Sequence, residues 1–160
     1  MDFRRLQWLF PVAVTLHNAE EAIWMPGWEV RHLEHTVGHL PGAGAIRTGL
    51  IVLTLAAFAV TYLSARKGPK TIWAYLTFGY IVAMLANVFV PHLPAAILFR
   101  GYAPGLATAV LINLPVMSLL AIRMAREGWV SGWKAAAFGA GVPIALGGVV
   151  AAWLAGQIAD

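Results

Sequence analysis

Four stretches of the chain, Thr48–Ala65, Thr71–Leu93, Gly101–Ile122 and Ala135–Ala159, are apolar and free of charge. Each is about as long as the roughly 20 residues a helix needs to cross a bilayer. A fifth segment, Leu6 to Met25, is apolar as far as His17, takes in Glu20 and Glu21, and resumes with Ala22-Ile23-Trp24-Met25. The pattern predicts an all-α fold, a single membrane domain of five transmembrane helices at about residues 6–25, 46–65, 71–90, 102–122 and 135–157. A long connection, Pro26–Arg47, separates the first two. Within it His32, His35 and His39 share an arc of about 60° at 100° per residue, opposite Val30, Leu33, Val37 and Leu40. That separation predicts an interfacial amphipathic helix between the first two spans.

Composition supports the membrane reading. The chain is 60% hydrophobic and 11% charged, against about 25% charged in soluble domains, which excludes an ordinary aqueous globule and a disordered chain. The absence of cysteine excludes disulfides, thiolate metal ligands, iron–sulfur clusters and a cysteine nucleophile. A net charge of +4 would suit nucleic acid only if it were concentrated on one face. The eleven basic residues are instead scattered between apolar runs, so no nucleic-acid partner is expected. They sort by side. Arg4, Arg5, Arg66, Lys67, Lys70, Arg123, Arg126 and Lys134 fall at one surface and Arg31, Arg47 and Arg100 at the other. The positive-inside rule then places the N-terminus in the cytoplasm and the C-terminus outside, in a bacterial inner membrane. Arg4-Arg5 before an apolar run is how a signal peptide begins. No small-x-small cleavage site follows, however, so the segment is read as the first span.

This sidedness gathers the remaining polar residues. All five histidines fall at the outer end, as do Glu20, Glu21, Glu29 and Glu34. In His17-Asn18-Ala19-Glu20-Glu21, His17 and Glu21 are one helical turn apart and share a face. A carboxylate inside a bilayer must be protonated, paired or bound to a metal, and no lysine or arginine lies in that span to pair with it. His35 and His39, again at i and i+4, have the spacing two imidazoles need to hold one ion. His92 reaches the same surface at the end of the third span. These residues point to a divalent-metal site with ligands His17, Glu21, His35, His39 and His92 and with Glu20 as general base. Without sulfur donors, zinc or iron suits the site best, as one or two ions. Asn87 and Trp24 flank the group as candidate substrate contacts. Gly141, Ala145, Gly148, Ala152 and Gly156 line one face of the last span, a seam for close packing within the bundle or between copies of the chain. The tryptophans fall near span ends and read as an interfacial belt.

His-Asn-Ala-Glu-Glu inside a first apolar span resembles the signature of the HXXEE-motif family of small bacterial membrane proteins. Asn87 with His92 and the later Tyr102-Ala103-Pro104-Gly105 are similar to that family's downstream pattern. The resemblance implies importance for His17, Glu20, Glu21 and His92, and no particular activity.

Three functions fit this constellation. One is a metal-dependent enzyme acting on a lipid-like or apolar small molecule within membrane lipid. A second is a metal-free isomerase using paired buried carboxylates for acid–base work. The third is a non-enzymatic protein handling metal ions or protons. The topology has a direct check: a reporter fused after Asp160 is expected outside the cytoplasm, and a cytoplasmic signal would dissolve the grouping of polar residues at one end.

Overall fold

The computed structural model describes residues 2–32 and 41–158, in which helices alternate with short connections and no strand occurs. In chain order these are α1 (Phe3–Leu6), α2 (Leu9–His32), α3 (Ala43–Lys67), α4 (Ile72–Leu98), α5 (Leu106–Arg126) and α6 (Gly132–Ile158). α4 is the centre of the bundle, with α3, α5 and α6 packed around it, and α2 lies against α3 and α5. The core joins Phe10 and Val14 of α2, Ile81 of α4, and Met117, Leu120 and Met124 of α5.

Among the described residues three helices, α3, α4 and α5, are long and apolar enough to cross a membrane, where five spans were expected. α2 falls short because His17, Asn18, Glu20 and Glu21 offset its apolar residues. α6 is described in part only. A second departure concerns the connection after Met25. The expected break at Pro26 does not occur, and α2 continues unbroken to His32. The start of the predicted interfacial helix is therefore the end of α2. Its remainder, with His35 and His39, lies outside the described residues. Proline inside a helix removes the hydrogen bond to the carbonyl four residues back, which here is that of Ala22. Arg47 Nε of α3 donates to that carbonyl at 3.2 Å and supplies the missing partner.

Two further helices depart from regular α geometry beside prolines. In α4, residues Val88–His92 form a wider π turn, with Val90 extended at φ −147°, ψ 114°. The ring of Pro91 disfavours the α region for the residue before it. The helix therefore jogs at Val90 and resumes as Leu93–Leu98, where the sequence pattern predicted an end near residue 90. In α5 a π turn spans Ala109–Asn113 just ahead of Pro115. Such turns locally widen a helix and often occur at functional sites. The two π turns lie against each other.

Polar side chains stitch the helices together. Asn18 Nδ2 donates to the Leu50 carbonyl (3.0 Å) and Thr54 Oγ1 (2.8 Å) of α3. Tyr80 donates from α4 to the Leu53 carbonyl at 2.9 Å. Bonds of this kind contribute about 0.6 kcal/mol each between helices in lipid. At the end of the bundle away from His17, Glu127 accepts from the Phe3 amide (2.8 Å) and Arg123 Nε (2.7 Å). The Phe3 amide, ahead of Arg123, holds its carboxyl below the usual range. Trp129, expected in the interfacial belt, is instead buried edge-on against Phe3, ring centres 5.0 Å apart.

α4 and α6 approach closely at Gly79. A Cβ on Gly79 would fall 2.5 Å from the Phe138 carbonyl oxygen and 2.6 Å from Val142 Cγ2. The predicted seam points elsewhere: Gly141 and Gly148 have no described neighbour within 4 Å of a Cβ position. Gly79→Val is expected to force α6 from α4 and destabilise the bundle by about 1–3 kcal/mol, the usual cost of overpacking. Thermal unfolding in detergent checks this, with Gly44→Ala, which meets nothing within 4 Å, as the unchanged control.

Candidate metal centre

α2 carries His17 and Glu21 on one face, the π turn of α4 carries His92, and the last residue before that turn is Asn87. These four side chains converge. His17 Nε2 and His92 Nε2 are 3.3 Å apart. Glu21 Oε1 lies 3.6 Å from the first and 3.5 Å from the second. Asn87 Nδ2 is 3.1 Å and 3.0 Å from the same two nitrogens. Burial is nearly complete, with His17 1%, His92 2% and Glu21 8% exposed. The jog at Val90 is what allows His92, beyond a proline, to turn into the bundle.

The tautomers follow from the partners. Thr108 spends its single hydroxyl hydrogen on the Gly105 carbonyl at 3.2 Å. It must therefore accept from His17 Nδ1, 3.0 Å away, which leaves His17 Nε2 as a bare lone pair. The Pro104 carbonyl lies beside the His92 ring and His92 Nε2 faces the cluster, an arrangement that suits a lone pair there as well. Asn87 Nδ2 has two hydrogens, one for each imidazole. Fixing the outer ring nitrogen by a carbonyl or hydroxyl, so that the inner one is aimed and basic, is how metal-binding histidines are held.

The donor set can be tested against an ion. Metal–nitrogen and metal–oxygen bonds of about 2.0–2.1 Å in a tetrahedron put neighbouring ligand atoms roughly 3.3–3.4 Å apart. The separations among His17, His92 and Glu21 are 3.3, 3.5 and 3.6 Å, so the three fit one divalent cation with small adjustments. Among the described residues they are the group of this kind close enough to share an ion.

Glu20 points to a different task. Its Oε1 accepts from the Gly105 amide at 3.1 Å and from the Tyr102 hydroxyl, and its Oε2 from the Thr108 amide at 2.9 Å. Both oxygens are thus turned to the start of α5, where unpaired amides and the helix dipole favour a carboxylate. This holds the Tyr102–Gly105 segment across the cluster. Gly105, at φ +83°, is where the segment comes nearest. A Cβ there would fall 2.6 Å from His92 Cε1, 2.9 Å from His17 Cε1 and 3.1 Å from Glu21 Cγ. Space and backbone angle both require glycine.

Of the other expected site residues, Asn87 joins the cluster through its hydrogen bonds to both imidazoles. Trp24 is 58% exposed on the outside of α2. His32 stacks on Trp28, ring centres 4.7 Å apart, with Nδ1 2.9 Å from the Trp28 carbonyl. Thr108 and Gly105 are site residues that residue-type reasoning passes over. A hydroxyl and a glycine carry no chemistry by themselves, although the Tyr102–Gly105 string marks the place. Asn113, on the second π turn, is fully buried and its amide has no partner among the described residues.

Residues 8–120 match the family described as "Protein of unknown function with HXXEE motif". The chain belongs to that family. The HXXEE match takes in every residue of the cluster, Gly105 and Thr108, and stops within α5. "Uncharacterized protein YrkK" of Bacillus subtilis (strain 168) is similar, 33% identical over 115 residues covering 72% of each chain. No solved structure matches.

Gly105→Ala is expected to drive the segment off the imidazoles and to cost about 1–3 kcal/mol through strain and overpacking. Gly101→Ala is the control, since its Cβ would meet only the Phe99 carbonyl oxygen, at 3.6 Å. Unfolding midpoints of the two variants in detergent compare them directly.

Proposed function

We propose that this protein is an integral membrane metalloprotein that binds one divalent cation, zinc or iron, through His17, Glu21 and His92, and acts as an enzyme on a lipid-like or apolar substrate. One observation carries the reading: two imidazole nitrogens and a carboxylate oxygen converge at the spacing of a shared ion, with the other nitrogen of His17 already committed. Asn87 closes the fourth side, as hydrogen-bond donor to both imidazoles or, with its amide turned over, as an oxygen donor. When bound, the cation would supply Lewis-acid activation of water or a substrate oxygen.

The chain's own residues supply the rest. Glu20 holds the Tyr102–Gly105 segment over the cluster and keeps water out. Release of the segment would open the site and free the Glu20 carboxylate as the general base. The surrounding apolar helices suit an apolar substrate and would strengthen electrostatic interactions inside the site. The full reading has five spans, with α2 and α6 joining α3, α4 and α5, and the N-terminus in the cytoplasm of a bacterial cell. The exposed small-residue face of α6 would serve contact between copies.

A second reading rests on Asn87. Its two donated hydrogen bonds already satisfy both imidazole lone pairs without any ion, which suits a metal-free acid–base site. Elemental analysis of protein purified without chelators decides between them. About one metal atom per chain, lost in His17→Ala, Glu21→Ala and His92→Ala, is expected from the coordination chemistry. Folded protein without stoichiometric metal would sink the metalloprotein and leave the acid–base site.

A further inference from the structure

A groove of about 320 Å³ runs between α2 and α3 on the outside of the bundle, lined by Ala19 and Ala22 on one wall and Leu50, Ile51 and Leu55 on the other. Small side chains opposite large ones make the trough. Its polar residues are turned inward on the protein. Thr15 donates to the Pro11 carbonyl at 2.7 Å, Thr54 to the Leu50 carbonyl at 2.9 Å, and Asn18 to the Leu50 carbonyl and Thr54 hydroxyl. The surface left to an occupant is therefore hydrocarbon, with a volume at the lower end of small-molecule sites.

At one end of this trough stands Arg47. Its Nε is pinned to the Ala22 carbonyl, the group Pro26 leaves without a helical partner. The guanidinium is thereby fixed at the mouth of the groove. Among the described residues its two terminal amino groups have no partner, which suits them to a bidentate contact. A planar, permanently charged fork held in this way suits a phosphate better than any neutral headgroup.

We infer that the α2–α3 groove binds a phospholipid with an anionic headgroup, one acyl chain lying along Ala19, Ala22, Ile51 and Leu55 and the phosphate on Arg47. The inference rests on the membrane reading of α3 and is independent of any metal. The groove face of α2 is turned away from His17 and Glu21, so the lipid is a bound component at a second site.

The test uses the full chain in detergent, offered equal amounts of phosphatidylglycerol and phosphatidylcholine with matched acyl chains, and counts retained lipid by native mass spectrometry. Wild type is expected to retain phosphatidylglycerol about fivefold over phosphatidylcholine, the ratio one basic residue facing anionic lipid supplies. Arg47→Gln, whose amide can still reach toward Ala22, should lose the preference, and Arg47→Lys should keep it. Ala19→Phe, which fills the trough, should lower retention of both lipids while the unfolding midpoint reports an intact fold. Equal retention of both lipids by wild type, or an unchanged preference in Arg47→Gln, overturns the inference. So does efficient dimer formation by Ile51→Cys, which would show a second copy in the groove. Failure of the membrane reading has a separate signature, protein that leaves the membrane fraction in alkaline carbonate.

Discussion

The architecture of the site depends on one carboxylate placed at the start of another helix. Glu20 of α2 accepts the Gly105 and Thr108 amides at the first turn of α5. These amides have no partner within their own helix, and in an apolar setting they must find one. The bond therefore fixes where α5 begins and which way its first turn faces. The Thr108 hydroxyl then meets His17, the Pro104 carbonyl meets His92, and Gly105 lies across both rings. A glutamine at this position would lose the charge that the helix dipole favours and one of the two acceptor oxygens, setting its NH2 against a backbone N–H.

Prolines contribute by what they prevent. Pro91 pushes Val90 out of helical geometry and lets His92 turn inward. Pro26 frees a carbonyl that recruits Arg47, and this holds α3 against α2 and fixes a cation at the mouth of a groove. Pro115 follows the second π turn. In each case a lost backbone hydrogen bond is matched by a side chain or a widened turn. Such interruptions are tolerated in apolar surroundings when neighbouring helices satisfy the freed groups. The cluster and the groove lie on different sides of α2, so the metal and lipid readings draw on separate residues.

Burying two imidazoles, a carboxylate and an amide in one place is expensive unless each is satisfied. The cluster meets that condition in part. Thr108 accepts from His17 Nδ1 and Asn87 donates to both imidazoles. Glu21 faces the two Nε2 atoms at 3.6 and 3.5 Å with no hydrogen-bond donor among the described residues. A structural network and a metal site share this arrangement up to the last step. The 3.3 Å between two lone pairs is the feature that a cation would relieve.

The sequence alone determined the helical class and the apolar helices α3, α4 and α5. It singled out His17, Glu21 and His92 within a ligand set that also named His35 and His39, outside the described residues, with Asn87 as a contact. These are properties of composition and periodicity: apolar runs of spanning length, i and i+4 spacing, and polar residues collected at one end by the sidedness of charge. It pointed to Glu21 as a ligand and Glu20 as a general base, and could not show that Glu20 accepts from the start of α5, because that partner comes from a distant part of the chain. It ended α2 and α4 too early, because the carbonyl freed by Pro26 is taken by Arg47 of α3 and α4 passes Pro91 through a widened turn. Tertiary structure decided the roles of Gly105, Thr108 and Arg47, whose meaning comes entirely from what stands opposite them. Local pattern sets which residues are costly to bury; only the packed helices set which partner relieves each one.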